Sequence, residues 1–296
     1  MTSSLARWGG TSRHADLGGP VHYVDFGGPV DGPPMVLVHG LGGSHLDWSV
    51  LAPRLTARFR VLAPDLIGYG LTTPDQRVST IEANTELVNA FIEQVAGGPV
   101  VLVGNSMGGL ISARQAAARP ETVSKLILID PALPLVSRSR LDVAATMLFG
   151  RALLPMGRGV LALSRLGRTP RQQVRETFVR CCVDPSRVPP DLVDALVALI
   201  EIRDAMPGAD DAFLASARSL LTINNGRRAA WAALHDITAP VLLVHGEQDR
   251  MVSVGSAREA ARRLPQWTVD VLPGLGHLPQ IEAPDRVSSR ILSWHG

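Results

Sequence analysis

Val103-Gly104-Asn105-Ser106-Met107-Gly108-Gly109 is the stretch whose reading decides the fold. It follows an apolar run, Val100-Val101-Leu102-Val103, and opens an alanine-rich helical segment over residues 107–118. A serine between such a strand and such a helix sits on a turn sharp enough to strain its backbone and lift its hydroxyl clear of the sheet edge. The positions two before and two after it must then be small, which Gly104 and Gly108 supply. A phosphate-binding loop would carry Gly-Lys-Ser/Thr or a G-x-G-x-x-G spacing, and this stretch has neither. The plainer alternative is a glycine-rich strand–helix turn without chemistry.

Outward from that turn, short apolar runs recur at Met35-Val36-Leu37-Val38, Val61-Leu62-Ala63, Leu126-Ile127-Leu128-Ile129, Val241-Leu242-Leu243-Val244 and Thr268-Val269-Asp270-Val271-Leu272. Runs of Val, Ile and Leu without alternation are strands covered on both faces, the parallel-sheet case. An alternating strand, Val21-His22-Tyr23-Val24-Asp25-Phe26, precedes them. Helical patterns lie between, at 79–96, where Ser79 and Glu82 have capping-box spacing, and at 107–118, 256–264 and 284–294. Strands alternating with helices make βαβ units. The expected fold is therefore α/β, with a mostly parallel central sheet flanked by helices.

The alternation breaks over residues 134–231, where helical segments are separated by Pro155, Gly157, Pro170, Pro185, Pro189-Pro190 and Pro207-Gly208. This reads as an inserted all-helical cap over a core made of residues 1–133 and 232–296. The insert carries apolar positions such as Leu141, Met147, Leu148, Phe149, Leu153, Leu154, Leu161, Leu163, Leu192, Leu196, Leu199, Phe213 and Leu220. Most of them are expected to pack cap helices together and the rest to line a lipophilic pocket.

The chain has 296 residues, 46% hydrophobic and 19% charged, which excludes a disordered or collagen-like polypeptide and allows a large core. The 29 basic and 27 acidic residues leave a formal charge of +2, too balanced to imply a nucleic-acid partner. The basic set is arginine except for Lys125. Nine arginines (Arg138, Arg140, Arg151, Arg158, Arg165, Arg168, Arg171, Arg175 and Arg180) face only Asp142 and Glu176 between residues 134 and 180. A solvated helix face is the plainer reading and an anion-attracting surface the other. The adjacent Cys181 and Cys182 are read as reduced thiols on a buried helix face, since an adjacent pair bridges only with strain. Residues 1–19 lack a signal-peptide core, and no apolar run reaches the roughly 20 residues of a membrane span. A cytoplasmic protein without membrane insertion is expected.

A serine hydroxyl becomes a nucleophile only when a base takes its proton. His277, in the loop Leu272-Pro273-Gly274-Leu275-Gly276-His277-Leu278 after the last predicted strand, is placed to be that base. Asp249, which follows Val244 through His245-Gly246-Glu247-Gln248, is placed to orient it, with Asp130 and Glu247 as rival acids. The chain order Ser106, Asp249, His277 is the serine–acid–histidine order of an α/β-hydrolase. An oxyanion hole needs two N–H groups aimed at the developing charge. Met107, after the nucleophile, and Leu41, in the loop His39-Gly40-Leu41-Gly42-Gly43-Ser44, are the candidates.

With these pieces in place the chain resembles the α/β-hydrolase superfamily along nearly its whole length. The resemblance rests on His39-Gly40-Leu41-Gly42-Gly43, Pro64-Asp65-Leu66-Ile67-Gly68-Tyr69-Gly70, the Ser106 stretch, His245-Gly246-Glu247-Gln248-Asp249 and Gly276-His277, in that order. It implies acyl transfer to water with no metal or organic cofactor, a small-molecule ester as substrate, and a structural turn at Asp65. Serine at the elbow argues against the branches that attack with a carboxylate, the haloalkane dehalogenases and epoxide hydrolases. Asn105 before the serine resembles the carbon–carbon hydrolases of ring-cleavage products. That branch, however, usually carries tryptophan where this chain has Leu278, and Ser-Gly-Pro-Gly where this chain has Leu41-Gly42-Gly43-Ser44. Esterase is the preferred reading, with carbon–carbon hydrolase and a non-catalytic ligand-binding hydrolase fold as alternatives.

Overall fold

The central strands are covered on both faces, as their unbroken apolar runs require. The computed structural model describes residues 10–134, 157–225 and 227–296. Its elements in chain order are β1 (Thr11–Asp16), β2 (Pro20–Gly27), β3 (Pro34–Val38), β4 (Arg60–Pro64), α1 (Ile81–Phe91), β5 (Val100–Asn105), α2 (Met107–Ala118) and β6 (Val123–Ile129). Five helices follow: α3 (Gly157–Arg165), α4 (Pro170–Cys181), α5 (Pro190–Asp204), α6 (Ala209–Asn225) and α7 (Arg227–His235). The chain closes with β7 (Val241–Gly246), α8 (Val254–Arg263), β8 (Thr268–Leu272), α9 (Pro279–Glu282) and α10 (Pro284–His295). The sheet order is β1-β2-β4-β3-β5-β6-β7-β8, with β1 and β2 antiparallel to their neighbours and every pairing from β4 to β8 parallel.

Alternate residues of one strand enter opposite cores. Met35, Leu37, Val101, Val103, Leu242 and Val244 pack with Trp48, Val287 and Ile291 on one face. Val36, Val38, Leu102, Leu128 and Leu243 pack with Val88, Phe91 and Ile111 of α1 and α2 on the other. Every expected strand is present. β1 was not foreseen, because Thr-Ser-Arg-His-Ala-Asp has no apolar period; it is an exposed edge strand paired through its backbone to β2. The first helix also differs from expectation. Its N-cap is Thr80, whose side chain accepts from the Ala83 N–H at 3.1 Å. Ser79 is one residue too early and donates to the Ile67 carbonyl at 2.7 Å.

After β3 the chain pairs β4 on one side and β5 on the other, so the order of connection reverses beside β3. In open parallel sheets the crevice at the carboxyl ends of strands beside such a reversal is where ligands bind. Here it is flanked by the loop after β3 and the turn after β5.

The described residues between β6 and β7 hold helices and no strand. Val174, Phe178, Leu192 and Leu199 form one apolar cluster with Leu46 and Val50 after β3 and with Leu278 and Ile281 beside His277. Leu161 packs with Leu214 and Ala217, whereas Leu163 is 70% exposed. Leu141, Met147, Leu148, Phe149, Leu153 and Leu154 lie outside the described residues. The border expected after residue 231 falls inside α7, whose Trp231 and Leu234 join the main core. Among the described residues no helix is long and apolar enough to cross a membrane.

Candidate active site

Ser106 joins β5 to α2 with φ 53° and ψ −117°, a left-handed conformation that costs a non-glycine residue about 1–3 kcal/mol. The surroundings enforce it. The Ser106 N–H donates to the Ile129 carbonyl at 3.0 Å, and its own carbonyl accepts from Ala132 at 2.9 Å. A Cβ on Gly104 would stand 2.3 Å from the Gly108 carbonyl oxygen, and one on Gly108 would stand 2.1 Å from that of Val38. The two small residues expected around the serine are thus demanded by backbone contact on both sides.

The pairing of Val38 with Gly104 sets the loop after β3 beside this turn. A Cβ on Gly40 would stand 3.1 Å from the Cβ of Ser106. Leu41 lines the cavity that Ser106 opens into, and its N–H takes no backbone acceptor among the described residues. Met107 is the first residue of α2, so its N–H has no carbonyl within the helix and lies at the positive end of the helix dipole. Both donors expected of an oxyanion hole are therefore unspent and adjoin Ser106.

His277 reaches the same cavity from the loop after β8. Its Nδ1 donates to Asp249 Oδ2 at 2.7 Å, while Asp249 Oδ1 accepts from the Met251 and Val252 N–H groups at 2.7 and 3.0 Å. Burial pushes the Asp249 carboxyl up, but the charge and hydrogen bond of His277, helped by His245, bring it below its ordinary value. It accepts the Nδ1–H of His277, which leaves Nε2 as the ring nitrogen without a hydrogen-bond partner among the described residues. Ser106 and His277 line one cavity without a hydrogen bond between them, a looseness usual before substrate closes such a site.

The rivals are placed differently. Glu247 is exposed and paired with Arg258 at 3.3 Å. Asp130 is fully buried at the end of β6 with φ 43°, and its Oδ1 accepts from the Gly246 N–H at 2.8 Å. Burial and the neighbouring Asp249 charge raise its pKa well above its ordinary value, which favours the protonated form. His245 lies between the two acids, its Nε2 3.5 Å from Asp130 and 3.4 Å from Asp249.

Several supports escaped sequence reasoning. Asn105 donates to the Ile129 carbonyl at 3.0 Å and to the His277 carbonyl at 3.2 Å, which ties the base to the elbow. Glu282 accepts from the Gly276 N–H at 2.9 Å and from the Asp184 N–H at 2.8 Å. The Cys181 carbonyl at the end of α4 accepts the His277 N–H at 2.6 Å. Both cysteines are free, and burial pushes the Cys181 thiol up to about 12.

The cavity measures about 260 Å³, and Leu133, Val174, Phe178, Leu196, Leu199 and Leu220 give it apolar walls. Among the described residues a carboxyl and a guanidinium interrupt them, Asp47 and Arg203. Asp47 lies over the oxyanion loop, with Oδ2 2.0 Å from where a Gly43 Cβ would be, and burial raises its pKa to about 7. Arg203 continues the α5 stripe Leu192, Leu196, Leu199 at spacings of four, three and four. That placement of a cation on an apolar face was the signal available in the sequence.

The described arginines of residues 134–180, from Arg158 on, do not supply this charge. Arg138, Arg140 and Arg151 lie outside the described residues. Arg158 and Arg171 pair with Asp211 and Asp194. Arg165 reaches Asp210 at 2.8 Å, and Arg168 and Arg180 reach Glu176 at 3.3 and 3.0 Å. These are pairs on a solvated face.

A second serine–histidine–aspartate line lies at the other end of the sheet. Ser12 Oγ is 2.7 Å from His22 Nε2, and His22 Nδ1 is 2.7 Å from Asp65 Oδ2. Ser12 belongs to an extended edge strand and lacks the turn and helix N-terminus that furnish Ser106 with donors. Asp65 accepts also from the N–H groups of His45 and Leu71 at 2.7 and 2.9 Å, as a structural turn demands. The groups His22–His45–Asp65 and Asp130–His245–Asp249 each bring ligand-type atoms within 4.8 Å of one another. In the first group those atoms are already hydrogen-bonded to each other.

A family model described as the alpha/beta hydrolase family matches residues 35–290. The chain is 30% identical over 268 residues to pimeloyl-[acyl-carrier protein] methyl ester esterase of Aromatoleum aromaticum, covering 86% of this chain and 94% of that protein. It is 28% identical over 257 residues to 2-(acetamidomethylene)succinate hydrolase of Mesorhizobium japonicum, covering 86% and 84%. Among solved structures it resembles a haloalkane dehalogenase from Bradyrhizobium elkani, with a TM-score of 0.81 at 23% identity over 96% of this chain and 97% of the other, a likeness of fold. With the match running from β3 to α10 through the Ser106 turn and the His277 loop, the chain belongs to the alpha/beta hydrolase family.

Proposed function

We propose that the protein is a carboxylic ester hydrolase with Ser106, His277 and Asp249 as its triad and Leu41 and Met107 as its oxyanion hole. The observation that carries this reading is Ser106, held at φ 53° and lining one cavity with a histidine whose Nδ1 is fixed by Asp249 at 2.7 Å. His277 Nε2 takes the Ser106 proton as Oγ attacks the ester carbonyl, and the oxyanion draws the two N–H groups. The imidazolium gives its proton to the leaving alcohol, which leaves an acyl-enzyme. Water activated by His277 then releases the acid and restores the serine. The helices between β6 and β7 serve as the cap, and their leucines favour a small to medium lipophilic acyl or alcohol part. The methyl ester esterase of Aromatoleum aromaticum supports the ester bond as the one cleaved.

Carbon–carbon hydrolysis is the second reading, on the Gly-Asn-Ser-Met-Gly-Gly spelling of the elbow. Asn105 instead spends its amide on two carbonyls, and Leu278 lines the cavity where that branch carries tryptophan.

A series of p-nitrophenyl esters of increasing acyl length tests the proposal on wild type and Ser106→Ala. Burst release and a rate falling by about 10⁶ in the variant are expected, the scale for loss of a triad serine. Unchanged turnover in Ser106→Ala refutes the nucleophile. An inert ester series with cleavage of a vinylogous diketone promotes the second reading.

A further inference from the structure

Among the described residues, the lining of the cavity carries one cation that the hydrolytic steps do not use. Arg203 stands at the C-terminal end of α5, on the stripe whose other members are buried or line the cavity. A guanidinium offers five N–H donors in a fixed fork. One of them, on Nη1, goes to the Gly68 carbonyl at 2.9 Å. The group lies over the Tyr69 ring, with Cζ 5.3 Å from the centroid. Tyr69 is fully buried, and burial pushes its phenol up, so it stays neutral and supplies no counter-charge. Among the described residues no carboxylate lies within ion-pair distance of Arg203, although Asp65 and Asp210 favour its charge from farther off, whereas the half-buried Arg165 and the exposed Arg180 reach Asp210 and Glu176 directly. Asp47 is the one carboxyl of the described lining, and burial, which raises it to about 7, leaves it largely neutral below about pH 6.

Contacts fix the guanidinium relative to the nucleophile. The Tyr69 and His39 rings meet at 5.3 Å, His39 Nδ1 bonds the Gly40 carbonyl at 2.8 Å, and Gly40 abuts Ser106. A partly buried cation with spare donors in an apolar wall is costly until an anion completes it.

Resting on the ester-hydrolase reading, we propose that Arg203 is an anion subsite and that the substrate is an ester bearing a carboxylate away from the scissile bond. The guanidinium fork grips both carboxylate oxygens while the ester carbonyl lies at Ser106.

The test is calorimetric titration of Ser106→Ala protein, which binds esters without turning them over. One pair of ligands is monomethyl adipate and methyl hexanoate. A second pair moves the carboxylate to the alcohol side, as the butyrate ester of 4-hydroxybutanoate against butyl butyrate. The charged member of one pair should bind about 10- to 100-fold more tightly than its neutral partner, the worth of charge-assisted hydrogen bonds. The pair that shows this ratio tells which side of the ester carries the anion. Arg203→Gln should erase the ratio, and Arg203→Lys, which keeps the charge and loses the fork, should retain part of it. Equal binding within both pairs overturns the subsite, as does a ratio that survives Arg203→Gln. Should Arg203→Gln fail to fold, Arg203→Lys decides: a ratio that falls there supports the subsite, and one that is undiminished overturns it. Wild-type turnover of the same esters answers the other question: tight binding of the charged member with no alcohol released leaves the subsite standing and overturns ester hydrolysis.

Discussion

Asp47→Asn isolates what burial does to a carboxyl beside the oxyanion loop. Burial raises this group from 3.8 to about 7, against the Ser44 N–H and the charges of His45 and His277, which pull it down. A carboxyl whose folded pKa stands above its unfolded one holds its proton more tightly in the native state. Its contribution to stability is therefore fully present below about pH 4 and is lost as pH rises through about 7. Roughly three pH units at about 1.36 kcal/mol each make about 4 kcal/mol over the full window, of which about 2.6 kcal/mol falls between pH 5 and pH 8. The side chain is partly open to the cavity, so these figures are ceilings. Asparagine keeps the shape and has no proton to lose. Urea unfolding of both proteins at pH 5 and pH 8 measures the effect. The stability of the variant relative to wild type should rise by up to about 2.6 kcal/mol between the two. A difference that stays flat across that interval refutes a carboxyl held neutral by burial.

Asp249→Asn should lower kcat by about 10⁴, because an amide neither fixes the Nδ1–H tautomer nor stabilises the imidazolium. Asp130→Asn should cost under about tenfold, since the protonated acid there and a carboxamide are both neutral donors; a loss equal to that of Asp249→Asn would make Asp130 the working acid. Gly108→Ala should fail to accumulate as folded protein on a solubility and circular-dichroism assay, because its Cβ would meet the Val38 carbonyl at 2.1 Å. Asp65→Ala should cost about 3–5 kcal/mol at pH 7 by urea unfolding, as loss of a buried charge pair does. Burial would raise the Asp65 pKa, but His45 and His22 hold it well below its ordinary value. Its contribution is therefore present above about pH 4 and is lost as pH falls toward the folded pKa, which the same assay run down to pH 3 checks.

Much of the sheet was legible because burial on both faces leaves a plain mark, unbroken Val, Ile and Leu. β1 left no mark, since an edge strand with exposed side chains is held by its backbone bonds to β2 alone. Thr80 displaced Ser79 as the helix cap because tertiary contact with Ile67 and Ser216 claimed the Ser79 hydroxyl. The elbow glycines were legible for a local reason, the tightness of one turn. Asn105 and Glu282 were not, because the carbonyl and N–H groups they serve lie in loops far away in sequence.

The sequence by itself determined the order of the covered strands, the glycine-lined serine turn and the candidate acid and base, each written in a run of a few residues. It left Asp130 and Asp249 as rivals, and it placed the basic charge in the arginine-rich stretch before residue 180. Only the tertiary structure separated these. It buried Asp130 without a compensating cation and set Asp249 against His277, so one carboxyl favours its proton and the other its charge. It paired the described arginines Arg158, Arg165, Arg168, Arg171 and Arg180 with carboxylates at the surface and carried Arg203 into the cavity without one. Residue type fixes which groups can carry charge, but burial and the nearest opposite charge decide which of them do, and both depend on contacts between residues distant in the chain.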